Sequence, residues 1–156
     1  MASKRLLSEL KQLNKESSYL YYCEPTDNIL LWNITIFGPQ DTLYENGIFH
    51  GVINFPNEYP IKPPIVIINN IIHPNIHKTG HVCISILHEG SDEYGYEDTS
   101  LRWSPSHSIN SIMLSIILLL SCPNFESPAN IDASVLCKNN PDEYKKIIYT
   151  MVAQSH

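Results

Sequence analysis

Cys83 is the residue in this sequence whose setting most invites covalent chemistry. It follows the irregular stretch His73-Pro74-Asn75 and the turn signal Thr79-Gly80, and it opens the apolar run Cys83-Ile84-Ser85-Ile86-Leu87. A thiol at the border of irregular backbone can be accessible, and an accessible thiolate is a nucleophile toward acyl carbon. A free cysteine is more often a small buried hydrophobe, so position alone leaves both readings open. His81, two residues earlier, could pair with the thiol on an extended segment, although any nearby histidine would suggest the same. Asn75 is the second candidate. A side-chain amide can donate to the oxyanion that forms as an acyl carbon becomes tetrahedral. An asparagine after a proline more ordinarily bonds its own neighbouring backbone.

These residues need elements to hold them. Leu6, Leu10 and Leu13 recur at helical spacing between charged residues, which predicts an amphipathic helix over 3–15 with Ser3 as its cap. Over 29–37, Leu30, Trp32, Ile34 and Ile36 alternate with Asn33 and Thr35 in a strand pattern that Gly38-Pro39 ends. A second alternation over 48–55 sets Phe49, Ile53 and Phe55 against His50 and Asn54, entered through the turn pair Asn46-Gly47. The β-branched run from Ile65 to Ile68 follows Pro63-Pro64. Successive strands with short connections predict an antiparallel meander. Prolines at 56, 60, 63, 64 and 74 exclude helix across the middle, so the candidate residues fall on irregular backbone. From Ser108 onward, Ile109, Ile112, Met113, Ile116, Ile117 and Leu120 form a broad helical stripe that ends near Cys122-Pro123. A short helix over 132–138 and a last one opened by Pro141 and running to about Ala153 complete an α+β order.

Composition narrows the function classes. A chain of 156 residues with 43% hydrophobic and 17% charged content suits one globular domain. The formal charge of −6 is uneven: Glu89, Asp92, Glu93, Glu97 and Asp98 fall within 88–98 without a Lys or Arg. The first fifteen residues carry Lys4, Arg5, Lys11 and Lys15 against Glu9 alone. An acidic chain without a basic groove is a poor nucleic-acid binder, since phosphate neutralisation supplies most of that affinity. The asymmetry instead suggests two faces for two kinds of protein partner, against the plainer reading of solvated charge. Cys23, Cys83, Cys122 and Cys137 show neither a C-x-x-C pair nor metal-ligand spacing, which predicts reduced thiols, a cytosolic or nuclear setting and no metal. No signal-peptide pattern opens the sequence, and the apolar run from Ile112 to Leu120 is too short to span a bilayer.

The ordered set His73-Pro74-Asn75, seven residues, Cys83-Ile84-Ser85-Ile86-Leu87, then Trp103-Ser104-Pro105 resembles the core of the ubiquitin-conjugating enzymes. Lys4-Arg5-Leu6, Gly38-Pro39, Asp41-Thr42-Leu43-Tyr44, Phe55-Pro56, Tyr59-Pro60 and Pro63-Pro64 add to the match, as do Pro123-Asn124 and Ser127-Pro128-Ala129-Asn130. Together they cover roughly residues 3–153. Each piece is weak, but the order makes the set specific. The long stretch from Cys83 to Trp103, with its acidic insert around Gly95-Tyr96-Glu97, is similar to the G-type members. Those are linked to ubiquitin-chain assembly and, for some, to degradation of endoplasmic-reticulum proteins.

The resemblance implies a single catalytic domain over 1–156: a four-stranded antiparallel meander, an N-terminal helix, a central helix packed on the sheet, and C-terminal helices. It implies that Cys83 takes ubiquitin from the activating enzyme as a thioester and passes it to a lysine, or to a ligase cysteine. By the same resemblance Asn75 supports the oxyanion, and His73 braces the turn rather than acting as a base. Ser85, Ser127 and Glu126 belong to the supporting site. Many relatives carry an acidic residue at the position of Ser127, where it helps the attacking amine lose its proton. G-type members also have serine there, and Asp92, Glu93, Glu97 and Asp98 of the acidic loop are candidates to substitute. Cys137 departs from the aromatic residue usual in relatives. Ile61, Pro105 and Ser106 match loops presented to ligases, Arg5 a basic ligase contact, and Lys4 the face used by the activating enzyme. The implied partners are ubiquitin, its activating enzyme, a RING-type ligase and protein substrates, with the chain acting as a monomer. No cofactor is implied for this chain, because ATP and Mg serve the activating enzyme. The implied setting is the cytoplasm, with recruitment to the cytosolic face of the endoplasmic reticulum through partners, and the nucleus as a second compartment. Two alternatives stay open within the fold, a non-catalytic scaffold and a carrier of another ubiquitin-like modifier. Outside it stands a cysteine hydrolase, which would need a distant base for which no local signature exists.

Overall fold

In the computed structural model, described over residues 1–16, 18–90 and 102–156, the leucine spacing near the N-terminus gives helix α1, Ala2–Lys15. Leu6 is fully buried. Ser3 does not cap the helix: the N-cap is Met1, with no side-chain bond. Ala2 is itself buried, and packing its methyl into the core draws the first turn one residue earlier than the polar pattern suggests.

Four strands follow: β1 Tyr21–Pro25, β2 Leu31–Phe37, β3 Ile48–Asn54 and β4 Ile65–Ile68. They form one sheet in the order β1-β2-β3-β4 with every pair antiparallel, the meander that the resemblance implies. Side-chain alternation holds through β2, where Trp32, Ile34 and Ile36 are buried while Asn33 and Phe37 are exposed. The strand starts two residues later than the pattern predicts. Asn28 bends the chain there, its side chain accepting from Leu30 N–H at 3.0 Å and its carbonyl from Leu31 N–H at 2.9 Å. Gly51 sits where β3 passes β4 so closely that a Cβ would lie 2.1 Å from the Ile67 carbonyl oxygen.

Helix α2, Ile109–Ser121, lays Ile109, Ile112, Met113 and Ile116 into the same core as Trp32, Ile34, Phe49 and Ile53 from the sheet. Burying side chains of this size contributes about 1.5–3 kcal/mol each. The helix opens on a reciprocal cap, Ser108 and Ser111 each accepting the other's backbone N–H. Helices α3, Ile131–Asn139, and α4, Pro141–Ala153, begin at Asn130 and Asn140, whose side chains accept the N–H of Ala133 and Glu143. Among the described residues no helix is long and apolar enough to cross a membrane.

Candidate active site

Residues 75–83 fold back as a short hairpin against the free edge of β4. Ile68 N–H donates to the Gly80 carbonyl at 2.9 Å, and Val82 N–H to the Val66 carbonyl at 3.0 Å. Only glycine suits position 80: its φ is +97°, and a Cβ would fall 2.5 Å from the Ile68 carbonyl oxygen. Across the hairpin, Cys83 N–H donates to the Asn75 carbonyl at 3.0 Å. Two residues eight positions apart in sequence thereby become neighbours at one site.

The turn before the hairpin is held from beneath. His73 is fully buried; its Nε2–H donates to the Leu119 carbonyl of α2 at 2.8 Å, and its Nδ1 accepts Asn75 N–H at 2.9 Å. Both ring nitrogens are occupied in the neutral tautomer, and burial lowers the imidazole pKa to about 4, opposed by the bond to Leu119. Upstream, the Tyr44 hydroxyl donates to the Ile72 carbonyl at 2.7 Å. The segment leading to α3 is tied to the same turn. The Pro74 carbonyl accepts N–H from both Ala129 and Asn130 at 2.9 Å. The Asn75 side chain bonds the Asn124 backbone through both of its polar atoms.

Cys83 is half-buried at the edge of a groove of about 420 Å³. Asn75, Asn124 and Ser127 line it together with Ser85, His88 and Arg102. Burial pushes the thiol pKa above its ordinary value, because the thiolate is the form that loses hydration. No thiol–imidazole pair forms with His81. The Cys83 sulfur lies 3.9 Å from the His81 carbonyl, while the exposed His81 ring meets the Thr79 hydroxyl at 3.1 Å. An extended strand turns the side chain of residue i+2 to the same face in principle, but the tight turn at 79–80 gives the ring a nearer partner.

The other sequence candidates fall in three places. Ser85 and Ser127 line the groove. Glu126 does not: it is exposed, and its N–H closes a turn onto the Asn124 side chain at 3.0 Å. Asp92, Glu93, Glu97 and Asp98 lie outside the described residues. Ile61, Pro105, Ser106 and Lys4 are exposed. Arg5 differs from a free basic contact. Its Nη2 donates to the carbonyls of Pro105 and His107 at 3.0 and 2.8 Å, and its Nε to Glu9 at 3.1 Å. The guanidinium thus braces the loop that carries Pro105 and Ser106. Cys137 is half-exposed on α3. Sequence reasoning gave no role to Asn124, His88 or Arg102. The pair Pro123-Asn124 is a visible signal, and so are Leu87-His88 and Arg102-Trp103 in the stretch similar to the G-type members, but their meeting at the groove is set by the fold. Among the described residues, no group of three His, Cys, Asp or Glu could hold a metal ion.

The chain that carries this groove is similar to known proteins along most of its length. The family model described as "Ubiquitin-conjugating enzyme" matches residues 5–152. The chain is 46% identical over 159 residues to "Ubiquitin-conjugating enzyme E2 15" of Schizosaccharomyces pombe, covering 99% of this chain and 95% of the relative. It is 51% identical over 130 residues to "Ubiquitin-conjugating enzyme E2 13" of Arabidopsis thaliana, covering 82% and 78%. With "Ubiquitin-conjugating enzyme E2 G2" of Homo sapiens it shares 40% over 158 residues, covering 99% and 96%. The chain belongs to the ubiquitin-conjugating enzymes, transferases that act through a cysteine thioester.

Proposed function

We propose that Cys83 is the cysteine that carries ubiquitin and that Asn75 assists its transfer to lysine. The observation that carries this reading is the cross-hairpin bond between Cys83 N–H and the Asn75 carbonyl at 3.0 Å, which sets both residues at one groove. In loading, the Cys83 sulfur loses its proton and attacks the thioester carbonyl of ubiquitin held on the activating enzyme. The new C–S bond forms as the old one breaks, and the activating enzyme's thiolate leaves. In discharge, a neutral lysine amine attacks the same carbonyl, an amide forms, and the Cys83 thiolate departs to take up a proton. A thioester suits this role because sulfur leaves readily while the carbonyl stays activated toward amines.

Asn75 Nδ2 carries two hydrogens. One is committed to the Asn124 carbonyl, which fixes the amide in space, and the second remains for the developing oxyanion. His73, with both nitrogens engaged, serves as a brace and transfers no proton. Ser85 and Ser127 line the path of the acyl chain. The reaction calls for no bound cofactor; the activating enzyme consumes the ATP and uses the Mg.

The whole chain is read as one catalytic unit acting as a monomer, with ubiquitin, the activating enzyme and a RING-type ligase as partners. Exposed Ile61, Pro105 and Ser106 support a ligase surface, and exposed Lys4 on α1 an activating-enzyme contact. The G-type resemblance supports chain building for proteasomal or endoplasmic-reticulum-associated degradation, in the cytoplasm and at the cytosolic face of that organelle, with a nuclear pool.

The test is thioester loading with ubiquitin, activating enzyme and Mg-ATP, read on non-reducing gels. An adduct one ubiquitin heavier, cleaved by thiol reductant and absent from Cys83→Ala, is the expected result. Absence of the adduct in folded protein would overturn the assignment. An adduct only with another ubiquitin-like protein would change the modifier.

A further inference from the structure

His107 lies outside the groove, yet its bonds lead into it. Its Nε2–H donates to the Arg102 carbonyl at 3.1 Å, and the acceptor-only carbonyl fixes which nitrogen carries the proton. Its ring stacks, tilted, against Trp103 with centroids 5.6 Å apart. Its own carbonyl accepts from Arg5 Nη2 at 2.8 Å. The next link runs from Trp103 N–H to the His88 carbonyl at 2.9 Å. His88 and Arg102 both line the groove that holds Cys83. The Trp103 indole N–H, bonded to the Pro60 carbonyl at 2.9 Å, anchors this chain of contacts to the 59–61 loop.

We propose that His107 is a positioning residue for lysine discharge. Its imidazole N–H holds the Arg102–Trp103 peptide in register, and the Trp103–His88 bond passes that register to the part of the groove lining that His88 and Arg102 supply. The residue touches neither thioester nor amine. It acts by fixing the lining on which the acyl chain and the incoming lysine are aligned, and small misplacements at such a lining are costly to rate. This inference rests on the reading that Cys83 carries the thioester. His107 also sits between the Arg5-braced loop and the groove, so one side chain joins the exposed loop to the reaction site.

Two substitutions separate the hydrogen bond from the packing. His107→Phe keeps a ring against Trp103 and removes the donor; His107→Gln removes the ring and keeps an amide donor of similar reach. Full-length chains are loaded with ubiquitin, freed of activating enzyme, and chased with free lysine, while Trp103 amide exchange is followed in the unloaded proteins. Loading within about twofold of wild type is expected for all. Losing one hydrogen bond predicts discharge about fivefold slower in H107F, with faster Trp103 exchange. H107Q should recover both to within about twofold. Should H107F fail to fold, His107→Ala must show the same slowing and the same exchange. Wild-type discharge in the donor-less variant, or equal slowing in H107Q, overturns the proposal. If the wild-type chain itself fails to load, the Cys83 reading falls, and unchanged Trp103 exchange is what then refutes the His107 bond.

Discussion

The side chain of Asn75 and the peptide of Asn124 bond each other in both directions. Asn75 Nδ2 donates to the Asn124 carbonyl at 2.7 Å, and Asn124 N–H donates to Asn75 Oδ1 at 2.8 Å. The Asn75 amide is thus fixed in place by the fold itself, and it holds the groove's rim in return.

Replacing Asn75 should therefore have two separable effects. Asn75→Ala is expected to load ubiquitin but to discharge it to lysine about 10²–10³ slower, the usual cost of one oxyanion donor. It should also lose about 1–3 kcal/mol of stability from the severed clamp. Single-turnover chase with lysine and urea melts read the two. Normal discharge with lowered stability would leave Asn75 as a clamp only.

His73 makes the fold sensitive to acid. Its folded pKa lies near 4 and its unfolded value near 6.5, so the unfolded chain binds more protons between those values. The stabilising contribution is complete above about pH 6.5 and is lost as pH falls toward 4. At pH 5 the loss should be about 2 kcal/mol. Urea melts at pH 7 and 5 on wild type and His73→Gln check this. The variant should be less stable at pH 7 and show a shallower difference between the two.

The four thiols should report their surroundings through alkylation. Cys122 is exposed, Cys83 is half-buried with its pKa raised, and burial pushes Cys23 up to about 12, with the nearby Glu9 adding to the shift. Iodoacetamide near neutral pH, with mass-spectrometric readout, should modify Cys122 first and Cys23 last. The rate at Cys83 should climb with pH through and beyond 9, since the thiolate is the reacting form. A Cys83 that reacts faster than Cys122 at neutral pH would reveal an activated thiol and contradict the environment described.

Glu9 gathers three elements on one carboxylate. It accepts from Arg5, from the Tyr59 hydroxyl, and from Ile109 N–H at the start of α2 at 2.7 Å. Glu9→Ala should cost about 2–4 kcal/mol, because it strands a buried tyrosine donor as well as a helix cap. Glu9→Gln, which keeps one acceptor, should cost less. Arg5→Ala should weaken ligase binding by releasing the 105–107 loop, with a matching rise in amide exchange there. Weakened binding without that rise would make Arg5 a direct contact.

The sequence made the periodic elements plain. Alternation in β2 and β3 and the stripe of α2 are burial patterns, and burial is what hydrophobic spacing records. Tyr21-Tyr22-Cys23-Glu24-Pro25 gave no such pattern. It is a short edge strand of amphipathic residues, and only its register with β2, Tyr21 opposite Ile36, defines it. The proximity of Cys83 and Asn75 was suggested by motif, while its cause, the hairpin pinned by Gly80, is a matter of φ and close approach that spacing cannot express. Arg5 illustrates the other limit. A basic residue on a helix looks like exposed charge until the loop a hundred positions away arrives with two carbonyls to bind it.

The half-buried setting of Cys83 also governs how the chain meets peroxide. Oxidation to sulfenic acid starts from an accessible thiolate, the same species that burial here disfavours. A thiol that stays protonated is therefore spared much of the damage that a permanently ionised cysteine would accumulate.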